Sequence, residues 1–290
     1  MYHGKYKSLA KGWLLSLIAL LTIILLQTAF AASSLELSPQ RRGLALAVLD
    51  PGRIYLLDGM RNELVQLDTT GKELRQVGGF GSTPGLLQDP AALVARGGEL
   101  YLLDRGLGRV HRYNRGLGLI WTIDLGQGLV DRFESFTHSL LALLPNGQLL
   151  TGDSNSRTVM LYTLDAGLAE PIIYPGHTGI SPRALTAMVA TKGLIHIYDG
   201  ATRMLYSCDI WGEPQQQRQI PEEQFQALAC DGKRLFLVGD GVVLELHTDD
   251  DTVIWHPAPW LPRTIAAAAS VAGYLFVLDD RGNRIFWERY

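Results

Sequence analysis

Six aspartates stand at matching places along the chain: Asp58, Asp104, Asp153, Asp199, Asp240 and Asp279. Each follows a short apolar run and opens a stretch of turn residues. Held on one surface, six carboxylates would attract cations or a basic partner. A plainer chemistry is open to each of them. An aspartate beside a tight turn bonds to backbone N–H groups and holds the turn shut. Repetition favours this second role, because chemistry seldom needs its acid in six copies. Arg109, Arg157, Arg203 or Arg284 comes shortly after the turn, with Glu63 in the first copy. A repeated Asp–Arg pair would be a structural latch, worth little where solvent reaches it.

Other candidate groups are scattered. Arg96, Arg105, Arg109, Arg112 and Arg115 crowd the second repeat, preceded by Arg53, Arg61 and Arg75. They form either a patch for an acidic partner or a set of solvated outward side chains. Of seven histidines, none makes an H-x-x-x-H or H-E-x-x-H pair, so no local metal site is signalled. His138 and His177 fall in segments that could approach a common axis. No cofactor is predicted, and calcium is possible. Asp153 with Asn155 supplies oxygen ligands for it, and so does Asp249-Asp250-Asp251, although turn bonding and solvation explain both. No G-x-S-x-G nucleophile turn, dinucleotide fingerprint or C-x-x-C-H haem site occurs, and no other cofactor is expected. The segment Trp255 to Pro262 sets two Trp among three Pro and reads as a stiff loop. Trp255 and Trp260 could anchor a partner or cover a gap in the fold.

The elements that must position these groups repeat. The stretch 275–287, LFVLDDRGNRIFW, reads as strand, tight turn, strand. Five more copies precede it: IYLLDGMRNELVQL, LYLLDRGLGRVHRY, LLTGDSNSRTVMLY, IHIYDGATRMLYSC and LFLVGDGVVLEL. Their aspartates recur at intervals of 39 to 49 residues, the period of β-propeller blades. Before each hairpin lies a short, alanine-rich segment: 44–48, 91–95, 140–144, 185–190, 227–230 and 265–270. Alanine is poor in strands. These segments are nevertheless too short for helices, and small side chains suit strands that crowd around an axis. The reading is an all-β, six-bladed β-propeller over residues 32–290. The last blade stops one strand short at Tyr290. The N-terminal segment, with LELSPQ at 35–40, is the available donor of the missing edge strand.

The spacer GGFGSTPGLLQDPAAL at 78–93 carries a more specific signal. Gly78, Gly81, Pro84, Gly85, Leu86 and Pro90 resemble the inter-blade linker of NHL-repeat propellers. Asp279, Gly282, Asn283, Arg284 and Ile285 resemble that family's D-x-G-N-x-R-I element, with one residue placed differently. The likeness fades in the middle repeats. It implies fold rather than activity, since such propellers include scaffolds, sensors, RNA binders and a lyase. The lyase gathers histidines around its axis, and no residue-by-residue match to them exists here.

Residues 1–31 read as a signal peptide: Lys5, Lys7 and Lys11, an apolar stretch over 12–26, then Ala29-Phe30-Ala31. An uncleaved anchor is the alternative. Losing three lysines and no acid moves the net charge from −3 to −6, a poor balance for nucleic acid. Cys208 and Cys230, the only cysteines, could pair after export, though they fall on strands of different blades. The expected function is a non-catalytic binding scaffold, periplasmic or secreted from a bacterium. It would act as a monomer, with no membrane span after cleavage, on an envelope protein or small ligand. A metal-dependent hydrolase or lyase with its site at the axis is the alternative.

Overall fold

The computed structural model describes residues 32–126, 136–163, 168–176, 179–221, 225–250 and 252–290. The proposed signal segment, His177 and Asp251 lie outside them. Six four-stranded antiparallel sheets are arranged as a six-bladed β-propeller. Blade 1 runs outward through Gly43–Asp50, Arg53–Asp58, Glu63–Asp68 and Glu73–Gly78. The innermost strands of the next five blades are Pro90–Arg96, Leu140–Leu143, Leu185–Ala190, Phe225–Asp231 and Ile265–Val271. All six alanine-rich segments are therefore strands. Among the described residues no helix is long and apolar enough to cross a membrane.

The second strands of blades 1, 2, 5 and 6 read as apolar runs because each is buried on both sides. Ile54 and Leu56 pack toward blade 6, in a cluster with Phe276, Leu278 and Ile285. Tyr55 and Leu57, alternating with them, pack toward blade 2 with Leu93, Leu100 and Leu102. The same division gives six apolar clusters, one between each pair of neighbouring blades. A single blade could not bury both faces alone, so the stability of each depends on its neighbours.

Ring closure follows the expected plan. Blade 6 takes Ser33–Glu36 as its outer strand, hydrogen-bonded beside the C-terminal strand Arg284–Arg289. Leu35 and Leu37 are buried in the cluster between blades 6 and 1. At the same seam Gly43 N–H donates to the Gly282 carbonyl at 2.6 Å. Gly282 has φ +67°, and a Cβ there would meet the Gly43 carbonyl oxygen at 2.1 Å. Glycine is required on both counts.

A feature with no sequence signal recurs on the innermost strands. In five of the six blades the pairing slips by one residue near the strand start, at Leu44, Ala91, Thr186, Gln226 and Ala266. A bulge of this kind bends the strand and re-aims the extra side chain. Here Thr186 Oγ1 accepts from Gly200 N–H of its own hairpin turn at 3.0 Å, and Gln226 Oε1 accepts from Ile265 N–H after the next linker at 2.7 Å.

Candidate functional site

The repeated carboxylates, Asp240 apart, are built into the hairpin face rather than displayed on it. Asp58, Asp104, Asp153, Asp199 and Asp279 each close a second strand and are buried. Asp104 accepts from the N–H groups of Gln88 at 2.8 Å, Asp89 at 3.0 Å and Leu107 at 3.3 Å. Asp199 accepts from Arg183, Ala184, Ala201 and Thr202 at 2.7 to 3.2 Å. Asp153 takes the N–H groups of Thr137 and Asn155 and the Ser156 hydroxyl. In these three blades one side chain ties its own turn to the linker arriving from the previous blade. Asp279 takes Asn283 and Arg284 N–H, and Asp58 takes Met60 and Arg61 N–H. Burial alone would raise the Asp199 carboxyl, but the donors led by Arg183 N–H outweigh it and hold the group below its ordinary range.

Asp240 corrects the sequence reading. The second strand of blade 5 ends at Gly239, and Gly239 pairs with Phe225 as Asp199 pairs with Leu185. Asp240 lies one residue further on, exposed in the turn. The blade's shorter turn brings an aspartate near the right place in sequence but outside the socket. Nearby, Gln226 joins the following linker instead, accepting from Ile265 N–H at 2.7 Å and donating to the Arg263 carbonyl.

The arginine latch also takes another form. Arg157 and Arg203 adopt φ of 58° and 57° at the turn position that Asn62 and Gly108 fill elsewhere. Their place follows from backbone shape, and no ion pair to the hairpin aspartate is formed among the described residues. Arg109 is half-buried opposite Asp104 at the start of its strand. Arg105 instead makes a two-pronged pair with Asp89 at 2.7 and 3.0 Å. Arg112 pairs with Glu99, so the second-repeat arginines are dispersed among separate partners.

The residue that sequence reasoning missed is Arg41. It is only 6% exposed, and its guanidinium meets Asp58 at 3.2 Å, Glu73 at 2.9 Å, Glu63 and Gln76. The bond to Glu73 comes first among the causes that raise the Arg41 pKa against its burial, and Arg41 in turn holds Glu73 low. Removing the cation would leave three carboxylates facing one another. Arg41→Met is expected to cost about 3–5 kcal/mol in urea unfolding, the range for breaking a buried charge cluster. A loss below 1 kcal/mol would mean that water replaces the guanidinium.

An axial channel of ≈ 270 Å³ runs between the innermost strands. Its wall is mainly Ala, Leu, Val and Met, with Arg96, Ser139, Thr186, Gln226, Cys230 and Ser270 as the polar or thiol members. No Asp, Glu or His is among these described lining residues. His138 corrects the axial expectation. It is buried beside Phe136 and Tyr162, with Nδ1 3.1 Å from Thr151 Oγ1, and lies outside the channel wall. Cys208 and Cys230 are free thiols, as their separate strands imply.

Trp255 belongs to a strand, not a loop. It lies on Val253–Pro257, the outer strand of blade 5, opposite Leu244, and is 41% exposed. Trp260 sits in the linker that follows, packs against the apolar cluster between blades 5 and 6, and has its ring 6.4 Å from that of Phe286. Apolar side chains on the hairpin face stand out further: Phe80 is 74%, Met60 64% and Leu44 41% exposed. They are linked through the backbone. A Cβ at Gly59 would meet the Leu44 side chain at 3.4 Å, and Gly79 N–H bonds to the Asn62 carbonyl at 2.8 Å. An aromatic set among four glycines and a methionine inside a polar turn were the available signals for this patch.

No protein-family model matches the chain, and no curated protein matches it by sequence. Solved structures do resemble it in fold. Virginiamycin B lyase from Staphylococcus aureus, in a catalytically inactive form with quinupristin, superposes with a TM-score of 0.62 at 12% identity. That match covers 89% of this chain and 99% of the other. A protein of unknown function from Bacteroides thetaiotaomicron gives 0.62 at 11%, covering 86% of this chain and 70% of the other. A Bacteroides fragilis protein bearing the name "putative exported protein" gives 0.59 at 12%, covering 89% and 95%. Identities this low establish the six-bladed propeller and nothing finer.

Proposed function

We propose that this propeller, of NHL type and exported by a cleaved leader, is a non-catalytic binding scaffold of a bacterial cell envelope. It works as a monomer through its hairpin-and-linker face. One observation carries the reading. On that face five of the six hairpin carboxylates are buried and bonded to backbone N–H groups, while Leu44, Met60 and Phe80 present apolar surface to solvent. The Arg105–Asp89 pair and Arg61, bonded to Gln40, lie on the same face as polar neighbours. Exposed apolar groups with polar surroundings are the usual make-up of a protein-binding patch. The exported neighbour in the fold comparison supports the location. The axial hydrolase or lyase reading has less behind it, because the described channel wall supplies no imidazole or carboxylate to act as ligand or base. Calcium is admitted only as a structural ion at the exposed Asp249–Asp250 turn.

Affinity capture from envelope extract tests the proposal. The unaltered chain is expected to retain a discrete partner, and a Met60→Ser, Phe80→Ser variant with unchanged melting temperature is expected to lose it at least tenfold. Equal capture by both forms would remove the patch from consideration. Stoichiometric zinc or calcium in purified protein, lost together with a hydrolytic activity, would favour the enzyme instead.

A further inference from the structure

Most side chains lining the channel are aliphatic, with a few hydroxyl and amide groups and one cation among them. Of the residues lining it, Arg96 alone carries a charge. Arg96 ends the innermost strand of blade 2, at the mouth away from the hairpin face. Its Nη1 donates to the Leu143 carbonyl of blade 3 at 2.7 Å. Its charge also reaches blade 5: burial pushes the Cys230 thiol up to about 11, and Arg96 pulls the other way. The guanidinium therefore reaches toward the axis. It has five N–H donors. Among the described residues the bond to Leu143 is the one it makes, and no carboxylate pairs with it.

A largely aliphatic set of wall side chains and a guanidinium with no carboxylate partner suit an alkyl chain with an anionic head. A neutral chain would leave the cation unmet, and a small hydrated anion would gain nothing from the wall. At roughly 30 Å³ per heavy atom, the scale of one water in the liquid, ≈ 270 Å³ holds about nine atoms. We propose that the axial channel binds a medium-chain alkyl carboxylate near octanoate in length, with its head on Arg96 and its chain along the Ala, Leu, Val and Met wall. Its head position at Arg96 lies at the opposite mouth from the partner-binding patch, and Leu44 borders both channel and patch.

Calorimetric titration of the full chain decides the matter. Octanoate is expected to bind one per chain, and butanoate more weakly by about fourfold for each methylene lost. Octanol is expected to bind at least tenfold more weakly than octanoate. Arg96→Met should abolish that preference for the acid, and Arg96→Lys should keep most of it. Three results would overturn the proposal: no saturable octanoate binding, equal affinity for octanoate and octanol in the unaltered chain, or uptake that rises past one per chain as a surfactant's does. If the Met variant fails to fold, the octanoate–octanol comparison on the unaltered chain still decides. Partner capture by Arg96→Met should be unchanged, so the two sites fail separately.

Discussion

A chain shortened to begin at Ser38 should melt roughly 10–20 °C below the full chain. The truncation removes the outer strand of blade 6 and two leucines, Leu35 and Leu37, that are 7% and 8% exposed in the cluster between the first and last blades. Burial of each leucine stabilises by about 1.5–3 kcal/mol, so the pair contributes about 3–6 kcal/mol. In a domain of this size each kcal/mol shifts the midpoint by about 2–4 °C. The loss falls on the seam between the last and first blades, where it cuts the chain that crosses from Ser33–Glu36 to Gly43–Asp50, and it also leaves the Arg284–Arg289 strand with an open edge. Leu35→Asp separates the two effects: it keeps the backbone pairing and should lose about half as much. A melt unchanged by truncation would show that the terminal strand does not hold the ring together.

Acid should weaken the fold before any carboxylate titrates. His196 is buried, with Thr191 Oγ1 2.8 Å from Nε2 and Ser207 Oγ 2.9 Å from Nδ1, and His138 is buried against Phe136. Burial lowers both imidazoles from 6.5 to about 4, with Asp153 opposing it weakly at His138. His111 is shifted in the same direction. The sign follows from proton counts. Above pH 6.5 these rings are neutral in both states and cost nothing. Between 6.5 and 4 the unfolded chain binds their protons and the folded chain does not, so stability falls with pH. Each of the two rings contributes a loss of up to about 3 kcal/mol across that window. Carboxylates held low, such as Asp199, act later: their contribution is present above the unfolded value of 3.8 and disappears below it. Urea midpoints taken from pH 7.5 to 4 should therefore slope downward, and His138→Gln with His196→Gln should flatten most of the slope. A curve level down to pH 4.5 in the unaltered chain would refute the buried neutral rings.

The blade count, the strand order within each blade and the missing edge strand were legible in the chain. All three rest on local rules. Period-two apolar runs make strands, and Asp, Gly and Asn after each run make a tight turn. A deficit of one strand at Tyr290 can be counted without knowing any distance. The aspartates were visible for the same reason, except in blade 5. There a shorter turn placed Asp240 where the motif fits and Gly239 where the geometry does.

Tertiary structure alone decided what the ring brings together. Arg41 meets Asp58, Glu63 and Glu73 from three strands of blade 1. Arg96 reaches Leu143 across a blade boundary. Thr186, at one strand slip, accepts from Gly200 of its hairpin turn, and Gln226, at another, accepts from Ile265 after the next linker. None of this leaves a local trace, because closing a circle of six sheets sets which side chains share an axis or a seam. The sequence specifies each blade by short-range periodicity, whereas the channel wall and the binding face arise from contacts between residues tens of positions apart.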